Sequence, residues 1–198
     1  NKDLSGTDFT RAILDGVDLT ESILTGAKFS WARLTGAKVG KNKIVGADFR
    51  GAVLDQIDLS GEDLRGIHFL GTSFKQASLA NANLSGSVLR HAQFQWADLS
   101  GTNLAGADLR DTVLSRLDLT GTNLDKAKLS GADLSRTKLG QLDLSEVDFS
   151  RTNFEGADIS GVKFRRAKLS GAILKDAEIE RMIWMWDETT IADQNIIE

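Results

Sequence analysis

Residues 97–116 read Ala97-Asp98-Leu99-Ser100-Gly101-Thr102-Asn103-Leu104-Ala105-Gly106-Ala107-Asp108-Leu109-Arg110-Asp111-Thr112-Val113-Leu114-Ser115-Arg116. A leucine falls at 99, 104, 109 and 114, and the spacing holds in both directions. From Leu4 to Ile179 every fifth residue is large and apolar: 36 positions, with 23 Leu, 9 Phe, 3 Ile and 1 Val. All nine phenylalanines of the chain keep this register. A period of five is neither helical nor extended. An α-helix would spread the leucines around its cylinder, and a flat strand would send successive ones to opposite faces. The spacing requires a chain that turns a corner every five residues, each unit supplying one short inward-looking side.

Two residues before each large residue stands a small one, mostly Ala, Thr, Ser or Val, as at Ala12, Val17, Ala27 and Ala32. A narrow core needs it, because large residues alone would overfill each layer. Of the 19 glycines, 17 fall two residues after the large residue, where a corner favours positive φ; Gly40 and Gly140 fall one after it. The place just before the large residue points outward and holds 13 Asp, 4 Asn and 7 Lys. Carboxylates so repeated suggest bonds to neighbouring backbone at a corner more than acid–base chemistry. The 198 residues include no Cys, no Pro and two His, with 24 basic against 28 acidic residues. No disulfide framework, thiolate metal site or cysteine nucleophile is available, and no cofactor is expected. His68 and His91 are offset by a coil and a corner and do not pair as metal ligands. No phosphate-loop or dinucleotide fingerprint occurs. No apolar run is long enough to span a membrane, and the mild acidity argues against nucleic-acid binding.

Units such as Ala97-Asp98-Leu99-Ser100-Gly101 and Ala132-Asp133-Leu134-Ser135 resemble the pentapeptide-repeat family, whose pattern is Ala-Asp/Asn-Leu-X-X, over about residues 2–181. The resemblance implies an all-β solenoid, a right-handed quadrilateral β-helix with four pentapeptides per coil. Thirty-six units then make about nine coils, a rod of ~43 Å at the spacing of stacked strands. Residues 1–181 form the expected repeat domain. Residues 182–198, with Met182-Ile183-Trp184-Met185-Trp186 and Asp187-Glu188-Thr189-Thr190, are expected to cap the last coil. Repeats begin within three residues of a chain that lacks an initiator Met, so trimming or cleavage from a longer protein is expected. A cytoplasmic location is favoured, and a removed targeting segment is compatible with the same start.

Twenty residues per coil turn the sequence into four faces, numbered after Leu4, Phe9, Leu14 and Leu19. Phe9, Phe29, Phe49 and Phe69 should stack inside face two. Ser22, Asn42 and Glu62, at small positions of face one, make that seam polar; Glu62 is expected to lean outward toward Lys43 or Arg65, since a buried unpaired carboxylate is costly. Face four carries eight acids against four bases. Face two carries five acids against eight bases, with Arg11, Arg50, Arg90, Arg110 and Arg151 near its downstream edge. Face three is neutral and exposes Val53 and Val113 among its outward residues. Its trailing corner replaces glycine in five successive coils with Gln56, Gln76, Trp96, Arg116 and Arg136. This corner, centred on Trp96, is the first candidate for a partner surface; the arginine edge of face two is its rival. Trp31 and His91 share the corner after face two.

Nothing in the chain offers chemistry, so a non-enzymatic protein-binding or scaffold module is expected, its partner another protein and its state a monomer or an end-to-end dimer. The family resemblance adds two alternatives. One is the DNA-mimicking subgroup that engages DNA gyrase and confers quinolone resistance, from which this chain departs in having no insertion between repeats and one strongly acidic face. The other is a bacterial regulator acting through protein contacts, as in some cyanobacterial members.

Overall fold

The computed structural model describes residues 2–40 and 44–179. The residues expected to form the C-terminal cap, 182–198, lie outside them. The chain advances one coil every twenty residues. Parallel pairing joins β1 (Lys2–Asp3) to β3 (Ser22–Ile23) and β2 (Asp18–Leu19) to β4 (Lys38–Val39). Beyond these short strands the described sides pair mostly through single bridges at the outward position, as in Asp8↔Lys28 and Val113↔Asp133. The large residues fill the interior: Leu24, Leu34, Leu54, Phe29 and Leu109 are fully buried. The face-two phenylalanines stack as expected, with centroid separations of 5.1, 5.0 and 5.6 Å from Phe9 through Phe69. Phe74 and Phe94 continue the stacking on face three at 5.1 Å.

Each corner is a turn closed from large residue to the next small one. Ala12 N–H donates to Phe9 O at 2.9 Å and Ala97 N–H to Phe94 O at 2.9 Å. The third residue of the turn takes positive φ, the signature of a type II turn. Among the described residues seventeen glycines do so, and so do sixteen others, including Arg11, Trp31, Gln56, Gln76, Trp96, Arg116, Arg136 and Arg151. Place in the repeat decides the conformation: in the corner holding Gly140, it is Gln141 that turns left-handed, at φ 66°.

The outward Asp and Asn complete the backbone accounting. Around each large residue, ladder and turn bonds leave one amide over, that of the residue just after it. The preceding carboxylate or amide oxygen takes that hydrogen: Thr10 N–H to Asp8 Oδ1 at 2.9 Å, Ser100 N–H to Asp98 Oδ1 at 2.9 Å, Ala105 N–H to Asn103 Oδ1 at 3.1 Å. At two places where another residue stands, a side chain one coil below serves: Asp15 Oδ1 accepts from Thr35 N–H at 3.0 Å and Asp55 Oδ1 from Lys75 N–H at 3.0 Å.

The ladder fails where the small place is overfilled. In the regular pattern the outward residue's amide bonds the carbonyl of the small residue one coil below, as Asp98 N–H does to Ala77 O at 2.9 Å. Among the described residues from Lys28 to Glu178, this bond is missing at Asp58, His68, Asp118, Asp143 and Asp148. The small places just before them hold Ile57, Ile67, Leu117, Leu142 and Val147, and the coil below offers Ala37, Ala47, Ala97, Thr122 and Ala127. Charge does not explain the pattern, since Asp58 stands over the oppositely charged Lys38. Size does: Val162 over Leu142 is a step down, and Lys163 N–H reaches Leu142 O at 3.0 Å. A branched side chain over a methyl-sized one needs more axial room than the ladder spacing leaves, and overfilling a packed layer costs about 1–3 kcal/mol. At Ile57, Leu117 and Leu142 the bridge itself is lost.

Two sequence expectations are corrected. Glu62 is buried, at 4% exposure, and Arg65 pairs with Asp63 at 2.7 Å; Lys43, the other partner expected for Glu62, lies outside the described residues. Val53 and Val113 are half-buried in the face-three ladder, not exposed; Ile13 (73%) and Ile173 (50%) are the apolar residues that face three shows to solvent.

Candidate functional site

The corner after face three brings Gln56, Gln76, Trp96, Arg116 and Arg136 into one column, all exposed and all left-handed. At two places in the column a side chain lies against the residue one coil on. Gln56 donates from Nε2 to Gln76 Oε1 at 3.1 Å, and the Arg136 side chain runs against Gly156, where a Cβ would lie 3.4 Å from its Cγ. Trp96 is 72% exposed, so Arg116 does not cover it. Its backbone also stands apart. Gln76 N–H bonds Gln95 O at 3.0 Å and Arg116 N–H bonds Ser135 O at 2.9 Å, but the equivalent bond from Trp96 N–H to Ser115 O is missing. The corner opens toward the boundary overfilled by Leu117. Gln95, one residue earlier, holds a buried Oε1 with no hydrogen-bond partner.

The rival arginine surface is partly neutralised. Arg50 grips Asp48 with Nε at 2.9 Å and Nη2 at 2.6 Å, and Arg110 grips Asp108 at 2.7 and 2.5 Å. These bonds hold the Asp48 carboxyl down at about 2, the Arg50 hydrogen bond being the largest cause, and depress Asp108 in the same way. Arg90 is half-buried with an unpartnered Nε. Arg11 and Arg151 are exposed at left-handed corners, and Arg151 lies against Gly171. Trp31, 66% exposed, lies over Gly51, its ring occupying the place a Cβ there would need. Sequence reasoning found the Trp96 column from its missing glycines. It missed the break above it, whose signal was Leu117 standing one coil over Ala97.

Among the described residues no three His, Asp or Glu side chains converge on a metal-sized site, and no described helix is long and apolar enough to cross a membrane. The arrangement supplies surface: a rod with separate acidic, basic and neutral faces.

A repeat model described as pentapeptide repeats matches in eight copies over residues 3–39, 67–106, 102–141 and 139–176. The chain belongs to the pentapeptide-repeat family. A solved, trypsin-treated form of QnrB1, a plasmid-mediated fluoroquinolone resistance protein, is 21% identical, with 82% of this chain and 90% of that chain covered and a TM-score of 0.53. At that identity the likeness is one of fold, a right-handed quadrilateral β-helix. HetL, a pentapeptide repeat protein of heterocyst differentiation regulation from the cyanobacterium Nostoc sp. strain PCC 7120, is 28% identical over 89% of this chain and 86% of that one, at a TM-score of 0.42. A pentapeptide repeat protein of the Arabidopsis thaliana thylakoid lumen is 36% identical over 58% of this chain and 69% of that one, at 0.22. No curated protein sequence matches the chain.

Proposed function

We propose that the protein is a non-enzymatic scaffold that binds another protein through the corner after face three, with Trp96 as its anchor. The 36 repeats give nine coils and so a long mounting for a linear contact. The observation that carries the reading is Trp96 itself: a large amphipathic ring, 72% exposed on the flank of a neutral face, held in a left-handed turn at φ 59° and returning little burial to the fold. Aromatic anchors of this kind dominate protein interfaces. The half-burial of Val53 and Val113 shifts the weight of the patch onto Trp96, Gln76, Arg116 and Arg136.

The test is capture from the source cell with wild-type and Trp96→Ala rods, followed by affinity measurement at two ionic strengths. Truncating Trp96 should cost on the order of 2 kcal/mol, with little salt dependence. Loss confined to Arg90→Glu, with a steep salt dependence, would move the contact to face two. The likeness in fold to QnrB1 supports a second reading, in which the acid column of face four (Asp58, Asp98, Asp118, Asp158, Glu178) mimics DNA toward gyrase. A supercoiling assay separates the two: protection of gyrase from a fluoroquinolone favours the mimic, and inertness favours the scaffold. A regulatory role of the kind borne by HetL would use the same protein contact.

A further inference from the structure

The three lost bridges share more than an oversized residue. Two clefts in the side of the rod coincide with them. One, of about 530 Å³, is lined by Asn123, Leu124, Leu142, Asp143, Leu144 and Glu146, at the Leu142 boundary. The other, of about 390 Å³, is lined by Lys38, Val39, Gln56 and Asp58, at the Ile57 boundary. At the Leu117 boundary the interior itself shows: Ala97 is 9% exposed and Leu117 5%, against 1% for Ala77 and Thr137 in the same column. The Leu117 and Leu142 boundaries leave facing donors and acceptors unjoined. At Leu117 these are Trp96, Leu99 and Gly101 N–H below Ser115, Asp118 and Thr120 O. At Leu142 they are Leu124 and Lys126 N–H below Asp143 and Ser145 O, with Asp143 N–H above Thr122 O. Outside the Leu142 boundary, long side chains still span coils: Lys163 Nζ reaches Asp143 at 3.3 Å and Arg166 reaches Glu146 at 3.5 Å, both on the coil above the cleft.

We propose that the Leu117 and Leu142 layers are flexible joints built into the rod, at which neighbouring coils part without the coils themselves unfolding. In a solenoid each repeat is held only by its neighbours, so a boundary short of hydrogen bonds opens before the rest. Between the two joints the bridges Asn103↔Asn123, Asp108↔Lys128, Val113↔Asp133 and Asp118↔Lys138 all form, so that stretch stays closed. The joint at Leu117 carries Trp96 on its lower lip, so parting of the coils re-aims the ring relative to Arg116 and bares Trp96 N–H and Ser115 O beside it. The joints themselves stand whether or not Trp96 binds a partner.

Site-resolved hydrogen exchange on the full chain tests this. In the wild type, the amides of Leu99, Asp118, Leu124 and Asp143 should exchange about 100-fold faster than those of Leu79, Asp98, Leu104 and Asn123, which hold the same places at closed boundaries. Leu117→Thr and Leu142→Thr should each slow exchange at their own boundary by about 10-fold or more and leave the other boundary unchanged. Thr is already accommodated at this place in the repeat: Thr122 and Thr137 are buried there, each hydroxyl bonded to a carbonyl within its own coil. Equal protection at open and closed boundaries in the wild type would overturn the proposal, and that comparison needs no variant to fold. Unchanged exchange in folded Leu117→Thr and Leu142→Thr would overturn it too. If the Trp96 contact fails in capture while the exchange pattern holds, the joints remain and only the binding surface is lost.

Discussion

At the scale of single residues, the corner place governs what the chain can tolerate. Gly51 sits at φ +67° with the Trp31 ring above it: an added Cβ would meet Trp31 Cε3 at 2.5 Å. Gly61, at φ +71°, has open space around the same position. Both substitutions to Ala carry the left-handed penalty of about 1 kcal/mol, but only Gly51→Ala must also displace an indole. Chemical denaturation should therefore show Gly51→Ala less stable than Gly61→Ala by at least about 1 kcal/mol. Adding Trp31→Ala to Gly51→Ala should close most of that difference. Equal losses in the two single variants would mean that Trp31 does not lie over Gly51. The Trp96 corner obeys the same backbone rule, yet nothing in the fold covers its ring, and this contrast singles it out from Trp31.

At the scale of the five-residue element, the outward Asp is a hydrogen-bond acceptor first and a charge second. Asn83 and Asn103 accept the same amide as Asp98 does, at 3.1 Å each. Asp98→Asn should hence leave stability at neutral pH within about 0.5 kcal/mol, while Asp98→Ala should lose about 1 kcal/mol by stranding the Ser100 amide. Charge enters on acidification. Asp48 is held at about 2, chiefly by Arg50, and Asp63, Asp98, Asp108 and Asp118 are also lowered by the hydrogen bonds they accept. In the unfolded chain such groups titrate near about 3.9. Their contribution is full above that value and is lost as the pH falls through the lower folded values. The melting temperature should stay level from pH 7 to about 5 and fall between about 4 and 2. Asp48→Asn should flatten part of that fall, and an unchanged acid limb in that variant would remove Asp48 from the account.

At the scale of the whole rod, stability is set boundary by boundary. If an oversized residue at the small place opens a boundary, a new one can be made. Thr102 is buried, its hydroxyl bonds Leu79 O at 2.8 Å, and Asn103 N–H bonds Ala82 O at 2.9 Å. Thr102→Leu places an isobutyl group over Ala82, as Leu117 stands over Ala97. It should cost about 1–3 kcal/mol and release the Asn103 amide to rapid exchange, while amides two coils away keep their protection. Loss of protection along the entire rod would instead mean that the boundaries are not independent units.

The corner every five residues was legible in the letters. A large residue every fifth place, a small one two before it and a flexible one two after it allow no helix and no flat strand; the family resemblance adds the twenty-residue coil, and with it the stacking of the face-two phenylalanines. The sequence also marked the Trp96 column, because a glycine missing from a corner is visible in the letters. The exposure of face three and the fate of Glu62 were decided only in three dimensions. Val53 and Val113 sit in a ladder that covers most of their surface, and Glu62 is buried. The positive face was likewise reduced by local pairing: Arg50 and Arg110 turn back onto carboxylates two residues earlier, which a sum of charges does not register. The open boundaries were written in the sequence as Ile57, Leu117 and Leu142, but their meaning depends on what lies twenty residues below. A side chain's size becomes a gap only when the residue beneath it is a methyl group or a small hydroxyl, and that comparison exists only once the coils are stacked.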